Sequence, residues 1–205
     1  MATQLELPDS PAVRAAHEVA STFASAALLN HSVRAYLFAA DYGDRQGIAY
    51  DAELLAVGAL LHDIALTRAF DNYGEPFEHA GGHIAWVLGA GAGWPVERRE
   101  RVALAIVDHM ADESEVPVED DPEGHLLARS TGLDVSGRNA ELWPAEVRDA
   151  VLRRHPRLGF ADEFLRCFRD QAERKPSSSA ARAVASGIAG RVRANPLETP
   201  PFLEH

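Results

Sequence analysis

Cysteine is almost missing from this chain. Its 205 residues include Cys167 alone, which excludes an internal disulfide and a thiolate metal cage, so any ion bound here is held by nitrogen and oxygen. No apolar run approaches the roughly 20 residues needed to cross a bilayer, which argues against a membrane span. Basic residues are also in deficit. Against 31 acidic residues there are 20 Lys and Arg, and the formal charge of -11 opposes general attraction to nucleic acid. The one local basic group, Arg98, Arg99 and Arg101, alternates with Glu97 and Glu100 and reads as a solvated helix face. The first residues, Met1 to Leu7, lack the positive start and apolar centre of a secretory leader, so the expected location is cytoplasmic. Alternating strand patterns are lacking too, and what remains is helix after helix.

The helical reading starts at Pro11 and runs through Phe23 to Leu28, with Asn30 capping a second helix that ends near Gly43. Asp51 opens a third, which reaches His62. The turn-rich segment Asp71 to Pro76 leads into a helix carrying Phe77, Gly81, Ile84, Ala85 and Leu88, stopped by Gly89, Gly91 and Gly93. Pro95 starts the next, up to His109. Asp112 to Pro122 reads as an acidic loop, and, with the Asp71 to Pro76 turn, is expected near a pocket mouth. A helix from about Glu123 to Leu133 precedes Asp134 and is broken by Gly137. Amphipathic segments follow at about Ala145 to Arg154 and Gly159 to Glu173. One domain over residues 1–175 is expected, followed over 176–205 by a hinge at Pro176 to Ser179, a short Ala-rich helix and an extended tail. The final Leu203-Glu204-His205 reads as a tag remnant.

The chemistry-bearing residues fall in an ordered series. His62-Asp63 ends the most apolar stretch of the chain, Leu54 to Leu61, and is followed at once by Ile64-Ala65-Leu66. A carboxylate there is costly unless a partner or a metal offsets it. His31 lies one helix upstream, and His109 and Asp134 lie downstream. Imidazoles and carboxylates suit zinc, iron, manganese and related ions. Taken singly, each residue has a plainer reading: a core histidine bonded to a backbone carbonyl, a histidine at a helix C-terminus, an aspartate shaping a turn. His79 and His83, four apart on one helix face, form a chelating pair by spacing. Arg34 and Arg68 are candidates to hold a polar or anionic substrate group, with surface ion pairing as the alternative.

The segments His31-Ser32-Val33-Arg34, Leu60-Leu61-His62-Asp63-Ile64-Ala65-Leu66-Thr67, Phe77-Glu78 followed by Gly81, and Leu133-Asp134 resemble the HD-domain superfamily of metal-dependent hydrolases, in its cyanamide-hydratase-like branch. The likeness covers roughly residues 25–140, and the doublet segment is its most specific part. Ala65 replaces the usual glycine. The resemblance implies an all-α helical bundle with a metal site in its core, and His31, His62, Asp63 and Asp134 as ligands of one divalent ion (Zn, Fe or Mn). His79, His83 and His109 would serve a second ion or the substrate. With such an ion in place, Asp63 is the leading candidate for a double role as ligand and orienter of the nucleophile, Glu78 the next candidate for proton transfer, and Arg34, Thr67 and Arg68 are candidates to bind the substrate. The implied activity is hydration or hydrolysis of a small molecule such as a nitrile or cyanamide-like compound. Alternatives are a phosphohydrolase acting on a nucleotide or phosphoester, a diiron oxygenase, and a degenerate module that binds a ligand or partner without catalysis. Expected partners are a small-molecule substrate and a second copy of the chain in a homo-oligomer, with no nucleic acid and no membrane.

Overall fold

The third helical segment has no polar face. Every residue from Leu54 to Leu61 is buried in the computed structural model, which describes residues 6–111 and 115–198. A helix apolar all round is stable only when surrounded, and this one, α3 (Ala52–Leu61), is packed by α1 (Pro11–Phe23), α2 (Ala26–Gln46), α4 (Phe77–Gly91), α5 (Val96–Asp108) and α6 (Pro122–Ser136). Asp51 starts it: Oδ1 accepts from the Leu54 N–H at 3.0 Å, and the carboxylate also pairs with Arg98. The chain continues through α7 (Ala145–Arg154), α8 (Phe160–Arg174), α9 (Ser179–Ala185) and α10 (Ile188–Arg193). Regular structure among the described residues is helical throughout, as the sequence predicts, and no helix among them is long and apolar enough to cross a membrane.

Several boundaries differ from expectation for local reasons. The first break falls at Ala24-Ser25, because the Ser25 hydroxyl accepts the Leu28 N–H; Asn30 lies inside α2 and its amide donates to the Pro156 carbonyl at 2.8 Å. His31 is therefore in the second turn of α2 and wholly buried. Gly43 does not end that helix. It is an internal position where the Tyr50 ring sits 2.9 Å from where a Cβ would be, and the stop is Gly47 in the left-handed region at φ 70°. Gly89 is likewise internal to α4, against Trp94. Asp134 lies in the last turn of α6, which Gly137 ends at φ 72°. Two short helices stand where one Ala-rich helix is expected. The described part of the tail packs inward: Leu197 is buried, and Asn195 donates to the carbonyls of Leu133 and Asp134. Leu203 to His205 and the segment 112–114 lie outside the described residues.

Gly81 fixes how close α4 comes to the end of α3. A Cβ there would meet the carbonyl oxygens of Leu61 and His62, both at 3.1 Å, and backbone cannot yield as a side chain does. Gly81→Ala is expected to cost about 1–3 kcal/mol through this clash, read as a lower urea midpoint with an unchanged slope.

Candidate metal centre

His62 and Asp63 follow the last turn of α3, where the chain tightens into a 3-10 turn (Ile64–Leu66), so that both side chains reach the same point despite being adjacent. His31 meets them from α2. Its Nε2 lies 3.1 Å from His62 Nε2 and 3.4 Å from Asp63 Oδ2, and His62 Nε2 is 3.3 Å from the same oxygen. All three residues are buried, with exposures of 0%, 0% and 2% for His31, His62 and Asp63.

The rings are held so that these atoms are bare acceptors. Nδ1 of His31 donates to Asp134 Oδ2 at 2.6 Å, and Nδ1 of His62 donates to the Ala59 carbonyl at 2.8 Å. A neutral imidazole with its proton on Nδ1 presents a lone pair at Nε2. Two such lone pairs and a carboxylate oxygen facing one another about 3 Å apart repel unless a cation or a proton lies between them. Donors spaced roughly 3.0–3.4 Å apart are what a common ion at about 2.0–2.2 Å requires. The residues present thus fit a divalent ion.

Burial alone would lower the His62 pKa, but the Asp63 charge beside it raises it above the ordinary value. Burial would raise Asp63, yet His62 and His31 hold its carboxyl far below the usual carboxylate range. His109 behaves differently. Desolvation, with repulsion from His62 whenever that ring is protonated, pushes it down to about 3, so it is a neutral ring; its Nδ1 donates to the Ile106 carbonyl and its Nε2 faces Asp63 Oδ1 at 3.8 Å.

The structure does not bring Asp134 into this group. Four donors occupy its two oxygens: His31 Nδ1 and Arg34 Nη2 on Oδ2, Arg34 Nε and Arg157 Nη1 on Oδ1. A carboxylate bonded to Nδ1 lies across the ring from Nε2, so Asp134 stands behind His31 and orients it. Arg34, fully buried, is committed to Asp134 and to the carbonyls of His155 and Pro156, which leaves it no part in holding substrate. Thr67 donates to the Ile64 carbonyl and Arg68 is exposed; neither lines the cavity described below. Glu78 is buried in the first turn of α4 with Oε2 unpartnered, and it too is outside that lining.

His79 and His83 do share a face, but it is the outer one. Both are exposed, beside Trp86 and Leu104, and His83 faces Glu75 at 3.4 Å. They lie apart from His31, His62 and Asp63, and of the three histidines expected to serve a second ion His109 alone lines the cavity described below. The double variant His79→Ala/His83→Ala is expected to keep its ion stoichiometry and its turnover within about twofold, as surface substitutions usually do. Elemental analysis of the purified variant, alongside its rate, checks this.

A cavity of about 320 Å³ opens on His31, His62, Asp63 and His109. Its wall is apolar at Met110, Val135, Phe164, Phe168 and Ile188, and Arg138, Arg182 and Arg191 also line it. The Asp71 to Pro76 turn is not part of it. That turn is tied to α8 instead, through Asp71 to Gln171 and Lys175. Sequence reasoning missed Phe160, stacked on the His31 ring at 4.3 Å, and Arg157, whose guanidinium lies 5.2 Å from that Phe160 ring.

The sequence model of the HD domain matches residues 28–158, which takes in every donor of this group and extends past the end at about residue 140 expected above. The chain belongs to the HD domain family. It is similar to two cyanamide hydratases of Saccharomyces cerevisiae, DDI2 and DDI3, each 30% identical over 173 residues that cover 82% of this chain and 76% of the relative. As an HD-domain enzyme it is a metal-dependent hydrolase or hydro-lyase. HD domains bind divalent metal ions, and the buried His31, His62 and Asp63 of this one form a group that can hold such an ion.

Proposed function

We propose that this HD-domain enzyme adds water to a small carbon–nitrogen substrate, a nitrile or cyanamide-like group, at a divalent ion held by His31, His62 and Asp63. The observation that carries the proposal is the convergence of two Nε2 atoms and one carboxylate oxygen on the floor of a cavity, in a chain similar to cyanamide hydratases. When bound, the ion acidifies water and polarises the substrate. The chain's own residues do the rest. Asp63 Oδ1 and His109 Nε2, 3.8 Å apart, accept the two O–H bonds of the water and orient its lone pair toward the carbon. As the C–O bond forms, one π bond of the C≡N group breaks, and the proton released from water passes by way of this pair to the nitrogen. Loss of the second proton from oxygen to nitrogen gives the amide, or urea from cyanamide. Phe164 and Phe168 keep bulk water from the wall of the cavity.

Phosphoester hydrolysis is the second reading, favoured by the arginines lining the same cavity. Assays with cyanamide, neutral nitriles and phosphomonoesters, with zinc, iron or manganese and under air or nitrogen, separate the two. Urea or amide formation without O₂ consumption is expected; phosphate release alone would replace this reading with the second.

A further inference from the structure

The HD match ends at residue 158, but the cavity does not. Ser179, Arg182, Ala183 and Ser186 of the α9 region, with Ile188 and Arg191 of α10, form the wall facing the donor group. These helices are held by apolar packing of Ala180, Ile188 and Val192 against Phe160, Phe164 and Phe168 of α8. Arg182, Ser186 and Arg191 line the cavity and are also exposed to solvent.

Two observations there point to a ligand. Arg182 donates to the Ser177 carbonyl, and Arg191 to the carbonyl and hydroxyl of Ser186, so both guanidinium charges meet only neutral acceptors; neither has a carboxylate partner among the described residues. Two exposed cations without a carboxylate partner, on a chain of net charge -11, leave a local positive patch beside the cavity. The cavity, at the lower end of small-molecule sites, is also larger than a bare nitrile or cyanamide group fills.

We infer that the substrate is an organic anion: its reacting group lies at His31, His62 and Asp63, an apolar body lies along Phe164 and Phe168, and its anionic end is seated by Arg182 and Arg191. Carboxylate and phosphate share the acceptor geometry that arginine recognises. The inference deepens the proposed reaction where that reaction holds, but it concerns the anion and stands apart from the bond that is made.

Calorimetric titration of the metal-loaded protein with cyanoacetate and with inorganic phosphate tests it directly, comparing wild type with Arg182→Gln/Arg191→Gln. At least one anion should bind about tenfold or more tightly to wild type, the tighter of the two naming the source. The Lys double variant should recover part of that affinity, and Arg193→Gln, on α10 but outside the cavity lining, should match wild type. Equal affinity of the folded Gln variant and wild type for both anions overturns the inference, as does equal loss in the Gln and Lys variants. Turnover distinguishes the two layers. Arginine-dependent phosphate release without nitrile hydration would keep the anion site and remove the hydratase reading, whereas arginine-independent hydration of cyanoacetate and neutral nitriles alike would do the reverse.

Discussion

Alanine at either His62 or Asp63 is expected to leave the protein without bound ion after dialysis and to lower turnover by more than about a hundredfold. Each residue supplies one of three mutually facing donor atoms, and the remaining pair leaves a divalent ion too few protein ligands. His109→Ala should separate from these variants. Its ring faces Asp63 Oδ1 without joining the three-donor group, so the ion is retained while the rate falls about a hundredfold through loss of one orienting acceptor. Elemental analysis beside initial rates decides the matter. Full ion occupancy in both His62→Ala and Asp63→Ala would sink the proposed centre.

Asp134→Ala should do a different kind of damage. The substitution leaves the buried Arg34 and Arg157 without their shared counter-charge, a change that typically costs about 3–5 kcal/mol, and lets the His31 ring turn. Ion affinity should fall about 10–100-fold while saturating ion still restores the stoichiometry, the behaviour of a residue that orients a ligand. If Asp134 were itself a ligand, occupancy would be lost as completely as in Asp63→Ala. The pH dependence has a definite sign. Burial would raise the Asp134 carboxyl, but Arg34 and Arg157 hold it well below the usual range. Its contribution to stability is therefore fully present above the unfolded value of about 3.9 and is lost as the pH falls toward the lower folded value. Denaturation of wild type and variant should accordingly differ most near neutrality and converge in acid.

The His62-Asp63 doublet was readable because ionisable residues at the end of eight buried apolar ones are rare without a purpose, and the helical class followed from the same periodicity. Asp134 was legible as a member of the series, but its contacts were not. A one-dimensional spacing does not say which nitrogen of His31 it meets, and the arginine that completes its shell, Arg157, arrives from beyond α7. For His79 and His83 the signal was present. Phe77, Gly81, Ile84, Ala85 and Leu88 mark the inward face of α4, and two residues from Gly81 to either histidine turn the helix by about 200°. The arginine-lined wall had no precursor in any motif, since Arg182 and Arg191 belong to short helices whose packing on α8 alone turns them toward the cavity.

The contrast between α3, without an exposed residue from Leu54 to Leu61, and the α9 and α10 pair, where five of thirteen residues are exposed, divides the two sides of the cavity into different opening units. Amides of α3 are expected to exchange with deuterium only through global unfolding, and those of α9 and α10 through a smaller, sub-global opening. Ligand entry by release of that outer pair would leave the donor atoms at their mutual distances throughout the cycle. Exchange that slows selectively over 179–193 when an anion is added, with no change over 54–61, is the signature of such a division.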